Sequence, residues 1–116
     1  MALGPKDILK NRSQEFADLL EGEIDNELER LALQEITDLR RLGRIELSIN
    51  PSLGNIFEEF GDEAEGFFLD KKTQKLIRSK YVRVVVGWSS VSFKIDYGLF
   101  IVILKSTVQK KNKKRS

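Results

Sequence analysis

The sequence has no cysteine and no histidine among its 116 residues. Without cysteine the chain forms no disulfide and performs no thiolate chemistry, which fits the cytoplasm of a host cell or a virion. Without histidine it lacks the commonest general base and the commonest transition-metal ligand. It also contains neither a GxxxxGKS/T phosphate loop nor a GxGxxG motif after a predicted strand. We therefore expect a protein that is not an enzyme and has no metal, no cofactor and no small-molecule substrate.

Long apolar runs are missing as well. The longest, at residues 99–104, is much shorter than the roughly 20 residues that a helix needs to span a bilayer, so we expect no membrane partner. A chain of this length makes one domain. We place that domain at residues 1–107 and a basic C-terminal tail at residues 108–116.

What the sequence does have is a sharp division of charge. Residues 1–70 contain 7 Lys and Arg against 17 Asp and Glu, whereas residues 71–116 contain 13 against 1. The net charge of +2 conceals this asymmetry. Such a division indicates either a polyanionic partner or an acidic half that meets a basic half, in the same chain or in another copy. Self-neutralisation within one fold stays open as the alternative.

Apolar residues recur at helical spacing from residue 6 to residue 42, which predicts a long N-terminal helix. The spacing shifts at Gly22, so we expect either a kink there or one long helix that touches two different surfaces. A continuous helix of this length measures about 55 Å and projects beyond a small domain. Its apolar stripe is the predicted site for a protein partner or a second copy, and comprises Leu9, Phe16, Leu20, Ile24, Leu28 and Leu31.

Two stretches alternate as half-buried strands do. Residues 44–50 place three aliphatic side chains on one face, and residues 91–96 alternate in the same way before a turn at Tyr97 and Gly98. Residues 99–105 are apolar on both faces, which is typical of a central strand that is covered on both sides. We predict a small antiparallel sheet with either this last strand or the first one in the middle.

A short helix is predicted at residues 55–60. A longer basic helix is predicted to begin at Asp70, a good N-cap residue, and to end at Gly87. Its valine-rich end favours a strand, so a helix to Ser79 followed by a strand at residues 80–86 is the alternative. The predicted fold class is therefore α+β, with a long N-terminal helix, a strand, a helix and a C-terminal β-hairpin.

The second half of the chain offers a cationic surface. Cations contact phosphate groups without reading a base sequence, so nucleic acid or another polyanion is a candidate partner. No RNA-binding aromatic signature, zinc spacing or helix-turn-helix accompanies the charge. The predicted polyanion-binding residues are Lys71, Lys72, Lys75, Arg78, Lys80 and Arg83 in the basic helix and Lys110, Lys111, Lys113, Lys114 and Arg115 in the tail.

Residues 24–105 give the order helix, strand, helix, the pair Gly87 and Trp88, and a hairpin, with a long acidic first helix. This order resembles that of small bacteriophage-encoded proteins. The valine run and the long segment at residues 51–69 depart from the pattern. The resemblance implies a phage accessory or virion protein and carries over no catalytic residue.

Two functions agree with these features. The first is a non-enzymatic small subunit of a larger viral assembly that binds partners through its oppositely charged halves. The second is a nucleic-acid-binding accessory or regulatory protein that uses the basic half. The two differ in what covers the basic helix. If the acidic helix lies over it, nucleic-acid binding depends on the tail alone.

Overall fold

The computed structural model describes residues 2, 4–32, 43–52 and 54–106. The predicted basic tail and the predicted helical residues 33–42 lie outside the described residues. The chain is α+β, as predicted. Its elements, in chain order, are α1 (Pro5–Ala32), β1 (Arg44–Ile49), α2 (Gly54–Phe60), a 3-10 turn (Gly61–Glu63), α3 (Ala64–Leu69), α4 (Lys71–Tyr81), β2 (Ser90–Asp96) and β3 (Leu99–Lys105).

The first helix, α1, runs through Gly22 without interruption, so the structure shows the predicted alternative of one long helix and no break. Gly22 is exposed, and a Cβ at this position would meet no atom within 4 Å. The predicted change of surface is also wrong, since Phe16, Leu20 and Ile24 on either side of Gly22 enter the same core cluster. Their spacing of four residues keeps them on one face of a helix.

Residues 51–69 contain two short helices joined by the 3-10 turn. The predicted helix at residues 55–60 is confirmed as α2 and begins one residue earlier. Gly61 follows it with a φ of 53°, a conformation that residues with a side chain rarely adopt, and the chain changes direction there. Sequence reasoning does not predict α3, whose buried Phe68 anchors it to the core.

The basic helix α4 begins where the sequence predicts. The Asp70 carboxylate accepts hydrogen bonds from the Thr73 backbone nitrogen at 3.0 Å and from Thr73 Oγ1 at 3.1 Å. This cap satisfies a backbone donor that the first helical turn would otherwise leave unpaired. The helix ends at Tyr81, and so the predicted continuation to Gly87 is wrong.

The predicted alternative, a strand at residues 80–86, is also wrong. Lys80 and Tyr81 are helical, and residues 82–86 form bends and turns. β-Branched valines lose side-chain freedom in a helix, which explains why α4 stops. A strand would need a neighbour, and no described strand pairs with this segment. We call residues 82–87 the valine loop.

The sheet has the order β1-β3-β2, and both pairs are antiparallel. The last strand, one of the two predicted candidates, is therefore the middle strand. Tyr97 and Gly98 have φ values of 51° and 78°, as in the type I′ turn that suits the twist of a hairpin. Leu104 lies directly between Ile45 and Val91 across the three strands.

The two faces of β3 differ. One face joins the core cluster through Phe100, Val102 and Leu104. The other face carries Ile101, which is buried, and Ile103, which is half-buried. The cross-strand neighbours of Ile101 are the polar Ser48 and Lys94. The prediction that β3 is the central strand is thus confirmed. The prediction also had both faces covered, whereas the core cluster covers one face only.

Aromatic rings form the centre of the core. Phe68 and Phe100 stack with centroids 4.1 Å apart and ring planes at 9°. Phe16 meets Phe60 edge-on at 5.2 Å and stacks on Phe67 at 5.8 Å. Aromatic pairs of this kind stabilise a core beyond the area that they bury. These contacts join α1, α2, α3 and β3 into one hydrophobic unit.

Most of the predicted partner-binding stripe of α1 belongs to this core. Three of its members are completely buried, namely Phe16, Leu20 and Ile24. They cannot bind another protein in the folded chain, so the prediction is corrected for these residues. Leu28 and Leu31 are half-buried against the core. The side chain of Leu9 lies outside the described residues.

Candidate functional site

The acidic helix α1 and the basic helix α4 lie side by side. Lys80 Nζ is 2.9 Å from Asp18 Oδ1 and 3.1 Å from Glu21 Oε1. The hydrogen bond from Lys80 lowers the pKa of the Asp18 carboxyl, and the same bond raises the pKa of Lys80. Lys80, a predicted polyanion-binding residue, is therefore occupied inside the fold.

The buried hydroxyl of Tyr81 makes the next contact between the two helices. It lies 3.0 Å from Asp25 Oδ1 and 3.2 Å from the carbonyl oxygen of Glu21. Burial, followed by the negative charge of Asp25, raises the pKa of Tyr81 far above its usual range. The hydroxyl consequently stays protonated and donates a hydrogen bond to an acceptor on α1, which fixes the end of α4 against the acidic helix.

The side chain of Arg78 has its partners within the fold, at the edge of the sheet. Its Nε and Nη2 atoms donate to the carbonyl oxygen of Val91 on β2, each at 3.3 Å. The guanidinium also lies 5.7 Å from the ring centroid of Phe93. Arg78 therefore ties α4 to β2. As with Lys80, the structure places this predicted polyanion-binding residue in the scaffold.

Four predicted cations of the same segment remain on the surface. They are exposed, and no ion pair within the described part of the chain involves Lys71, Lys72, Lys75 or Arg83. Three of them lie in the first half of α4, away from the contacts that Lys80 and Tyr81 make with α1. The five predicted cations of the tail lie outside the described residues.

An acidic surface occupies the α2–α3 region. Its exposed members are Glu58, Glu59, Asp62, Glu63 and Glu65. In the ranges that the structure describes, no group of three or more Asp or Glu residues is arranged to hold a metal ion. An open cleft of about 480 Å³ lies beside this surface, lined by Ser13, Asp62, Glu63 and Lys72 among others. Its mixed charge selects neither an anion nor a cation.

The valine loop is the most exposed apolar segment of the described chain. Val84 is 101% exposed and Val85 86%, relative to fully accessible side chains. The loop is closed by hydrogen bonds from the backbone nitrogens of Val86 and Gly87 to the carbonyl oxygen of Arg83, at 3.1 and 2.8 Å. It presents apolar side chains and one cation at the end of α4.

A second exposed apolar residue is Phe57 on α2, at 52% exposure, with Glu58 and Glu59 following it. Arg83 of the loop is one of the predicted polyanion-binding residues, whereas Phe57 and the four valines are not among the predicted site residues. The signal for the loop was present, because four valines around one arginine fit neither a helical stripe nor an alternating strand. No corresponding signal marked Phe57, because only the fold shows which phenylalanines are buried.

No protein-family model matches the chain, and neither a curated protein nor a solved structure matches it. In the ranges with described structure, no helix is long and apolar enough to cross a membrane. The case for a function therefore depends on the surfaces of the chain itself.

Proposed function

We propose that the protein is a non-enzymatic small subunit of a larger assembly, which it joins through oppositely charged surfaces. The observation that supports this most is that folding neutralises little of the charge division. Among the described residues, Lys80 is the one cation after residue 70 that pairs with the acidic half. The exposed Lys71, Lys72, Lys75 and Arg83 form no ion pair with any described residue, so they stay available to other molecules.

The two signs occupy separate elements. Lys71, Lys72 and Lys75 lie exposed on α4, whereas Glu58 and Glu59 lie exposed on α2. A surface of one sign attracts the opposite sign on another molecule, which speeds encounter and selects orientation. Because each copy carries both signs on different elements, an acidic element of one copy suits a basic element of the next.

The partner in this proposal is a second copy or a different protein subunit. Its location, in the cytoplasm of a host cell or in a virion, is part of the same proposal. The viral component depends on the order of elements in the sequence, which resembles that of small bacteriophage-encoded proteins.

A second candidate function is nucleic-acid binding, and one observation favours it. The acidic helix contacts the end of α4 at Lys80 and Tyr81, but Lys71, Lys72 and Lys75 at its start are exposed and form no ion pair with a described residue. A short cationic cluster of this kind can contact phosphates without base recognition. The tail is therefore not the sole basic surface for this function.

Sedimentation velocity at two ionic strengths tests the assembly proposal. We expect self-association at about 0.01 M salt and dissociation at about 1 M, since the Debye length falls from about 30 Å to about 3 Å. Reversing the charge at two positions, with Lys71→Glu and Lys75→Glu, should weaken the association. The matched control is Lys94→Glu with Lys105→Glu, which changes the net charge equally on the sheet and should leave association intact.

A chain that stays monomeric at both ionic strengths, and whose pull-down from host cells recovers no protein, contradicts the assembly proposal. A nuclease-treated pull-down separates the two candidates. If the recovered material is nucleic acid alone, and binding weakens with Lys71→Glu and Lys75→Glu, the second function replaces the first.

A further inference from the structure

The valine loop is an unusual surface for a folded chain. Four apolar residues stay exposed within five positions, with exposures from 37% at Val82 to 101% at Val84. Runs of three or more exposed apolar residues reduce solubility and persist in proteins mainly where they serve a function. The loop therefore has the character of a binding element rather than of a connection.

The chemistry of the loop restricts its partner. Arg83 is exposed and forms no ion pair with any described residue, and the valines beside it have no charge. The acidic side chains near the preceding turn, Asp18 and Glu21, already pair with Lys80. A complementary surface therefore needs an apolar contact for the valines and a carboxylate for Arg83.

Such a surface exists on the same chain, at α2. Phe57 is 52% exposed, and Glu58 and Glu59 are exposed beside it. We call these three residues the Phe57 patch. It is the acidic counterpart of the loop, because Glu58 and Glu59 follow the exposed Phe57 along α2 and form no ion pair with any described residue. Buried apolar contact with charge complementarity at its rim is the usual composition of a protein interface.

The end of α4, which leads into the loop, and the helix α2, which carries the Phe57 patch, lie on opposite flanks of α1. The α4 flank contacts Asp18 and Glu21. On the α2 flank, Arg12 Nη2 donates a hydrogen bond to the Glu59 carbonyl oxygen at 3.3 Å. Glu23 lies on the same flank, because its Oε2 would be 3.6 Å from a Cβ atom added at Gly54. At 100° per residue the two sets of α1 positions point roughly 160° apart.

We propose that the valine loop of one copy binds the Phe57 patch of a second copy. This inference rests on the proposed assembly function and names its partner surface. Because the two surfaces lie on opposite flanks, the Phe57 patch of one copy does not cover the loop of the same copy, and each contact leaves a free loop and a free patch at the ends. Such a heterologous contact joins copies head to tail into a ring or a filament.

Cysteine cross-linking tests the contact directly, because the natural chain has no cysteine. One variant carries Val84→Cys in the loop, and another carries Glu58→Cys beside Phe57. The control carries Tyr97→Cys at the hairpin turn, a position that is 98% exposed. The variants are mixed in pairs at low salt and oxidised, and the products are separated by mass. We expect the Val84→Cys and Glu58→Cys mixture to give several-fold more mixed dimer than either variant mixed with the control.

Two outcomes overturn the inference. Predominance of the disulfide between two Val84→Cys copies indicates a loop-to-loop contact, and cross-linking no greater than with the Tyr97→Cys control indicates no contact at either surface. Sedimentation of the natural chain separates this failure from that of the proposed function. If the chain self-associates, or recovers a different protein, while the mixed dimer is missing, the assembly function stands and the loop assignment falls. If it does neither, both fall.

Discussion

The aromatic core and the valine loop are both strongly apolar, yet the fold treats them in opposite ways. Phe68 and Phe100 are almost fully buried and stack at 4.1 Å. Val84 and Val85, on the segment that follows α4, are exposed at 101% and 86%. The core rings have partners on α1, α2, α3 and β3. The valines have none among the described residues, and their segment adopts no regular structure.

This difference separates what the fold needs from what it leaves available. Burial of the core rings away from water stabilises the folded chain, and their removal would open a cavity. Val84 and Val85 remain in water in the folded chain, so their burial cannot contribute to its stability. An apolar segment that does not stabilise the fold is free to stabilise a complex. The same reasoning applies to charge, because Lys80 is used by the fold whereas Lys71 is not.

Replacing a core ring should have the largest effect. Phe68→Ala removes a buried ring that stacks on Phe100 and meets Phe93 edge-on at 5.7 Å. We expect a loss of about 3–5 kcal/mol in the free energy of unfolding. The matched change in the loop, Val85→Ser, should alter this quantity by no more than about 0.5 kcal/mol. Urea unfolding followed by circular dichroism measures both, and equal effects at the two positions would remove the distinction between core and loop.

Removing the Tyr81 hydroxyl should have an intermediate effect. Tyr81→Phe keeps the buried ring but deletes the hydrogen bond to α1, where Asp25 Oδ1 lies 3.0 Å away. We expect a loss of about 0.5–1.5 kcal/mol by the same unfolding measurement. The control Tyr97→Phe, at the exposed hairpin turn, should change nothing. A Tyr81→Phe chain as stable as the natural one would show that this contact does not hold α4 on α1.

The ion pair of Lys80 should have the smallest effect, and its pH dependence has a definite sign. The lowered pKa of Asp18 stabilises the fold above the ordinary carboxyl pKa, and this contribution is lost as the pH falls through the lowered value. The raised pKa of Lys80 stabilises the fold below the ordinary lysine pKa and is lost as the pH rises through the raised value. The pair therefore contributes most between about pH 4 and pH 10.

Because the Asp18 side chain is 58% exposed, solvent screening keeps the contribution of this pair small. We expect Lys80→Met to cost less than about 1 kcal/mol at neutral pH, and the cost to fall further in high salt. Unfolding of both chains across the pH range measures the difference. A difference that stays the same outside the stated pH window would mean that Lys80 acts through packing of its side chain rather than through its charge.

The local features of the fold follow from the sequence. Alternation at residues 44–50 predicts β1, Asp70 predicts the start of α4, and the pair Tyr97 and Gly98 predicts the hairpin turn. Each depends on neighbouring residues alone, through side-chain period, capping or turn geometry. The apolar character of both faces of residues 99–105 likewise made this strand one of the two candidates for the middle of the sheet, the other being β1.

The features that sequence reasoning did not resolve depend on what lies opposite in space. The apolar stripe of α1 predicted a covered face, but it did not show that Phe16 and Leu20 would be covered by the same chain. The residues at 82–86 have strand propensity and a helical neighbour, but no described strand pairs with them and their β-branched side chains disfavour a helix. For the candidate site, the sequence identified the cations of α4 but not that Arg78 and Lys80 are occupied.

In our proposal the valine loop serves association and not folding. Sedimentation velocity at low salt, comparing the natural chain with a Val84→Ser and Val85→Ser double variant, tests this role, and thermal unfolding of the same samples checks that both chains fold. We expect the natural chain to associate as its concentration rises, and the double variant to stay monomeric with an unchanged unfolding temperature. A double variant that associates as the natural chain does, or that loses association only because it unfolds, contradicts the claim.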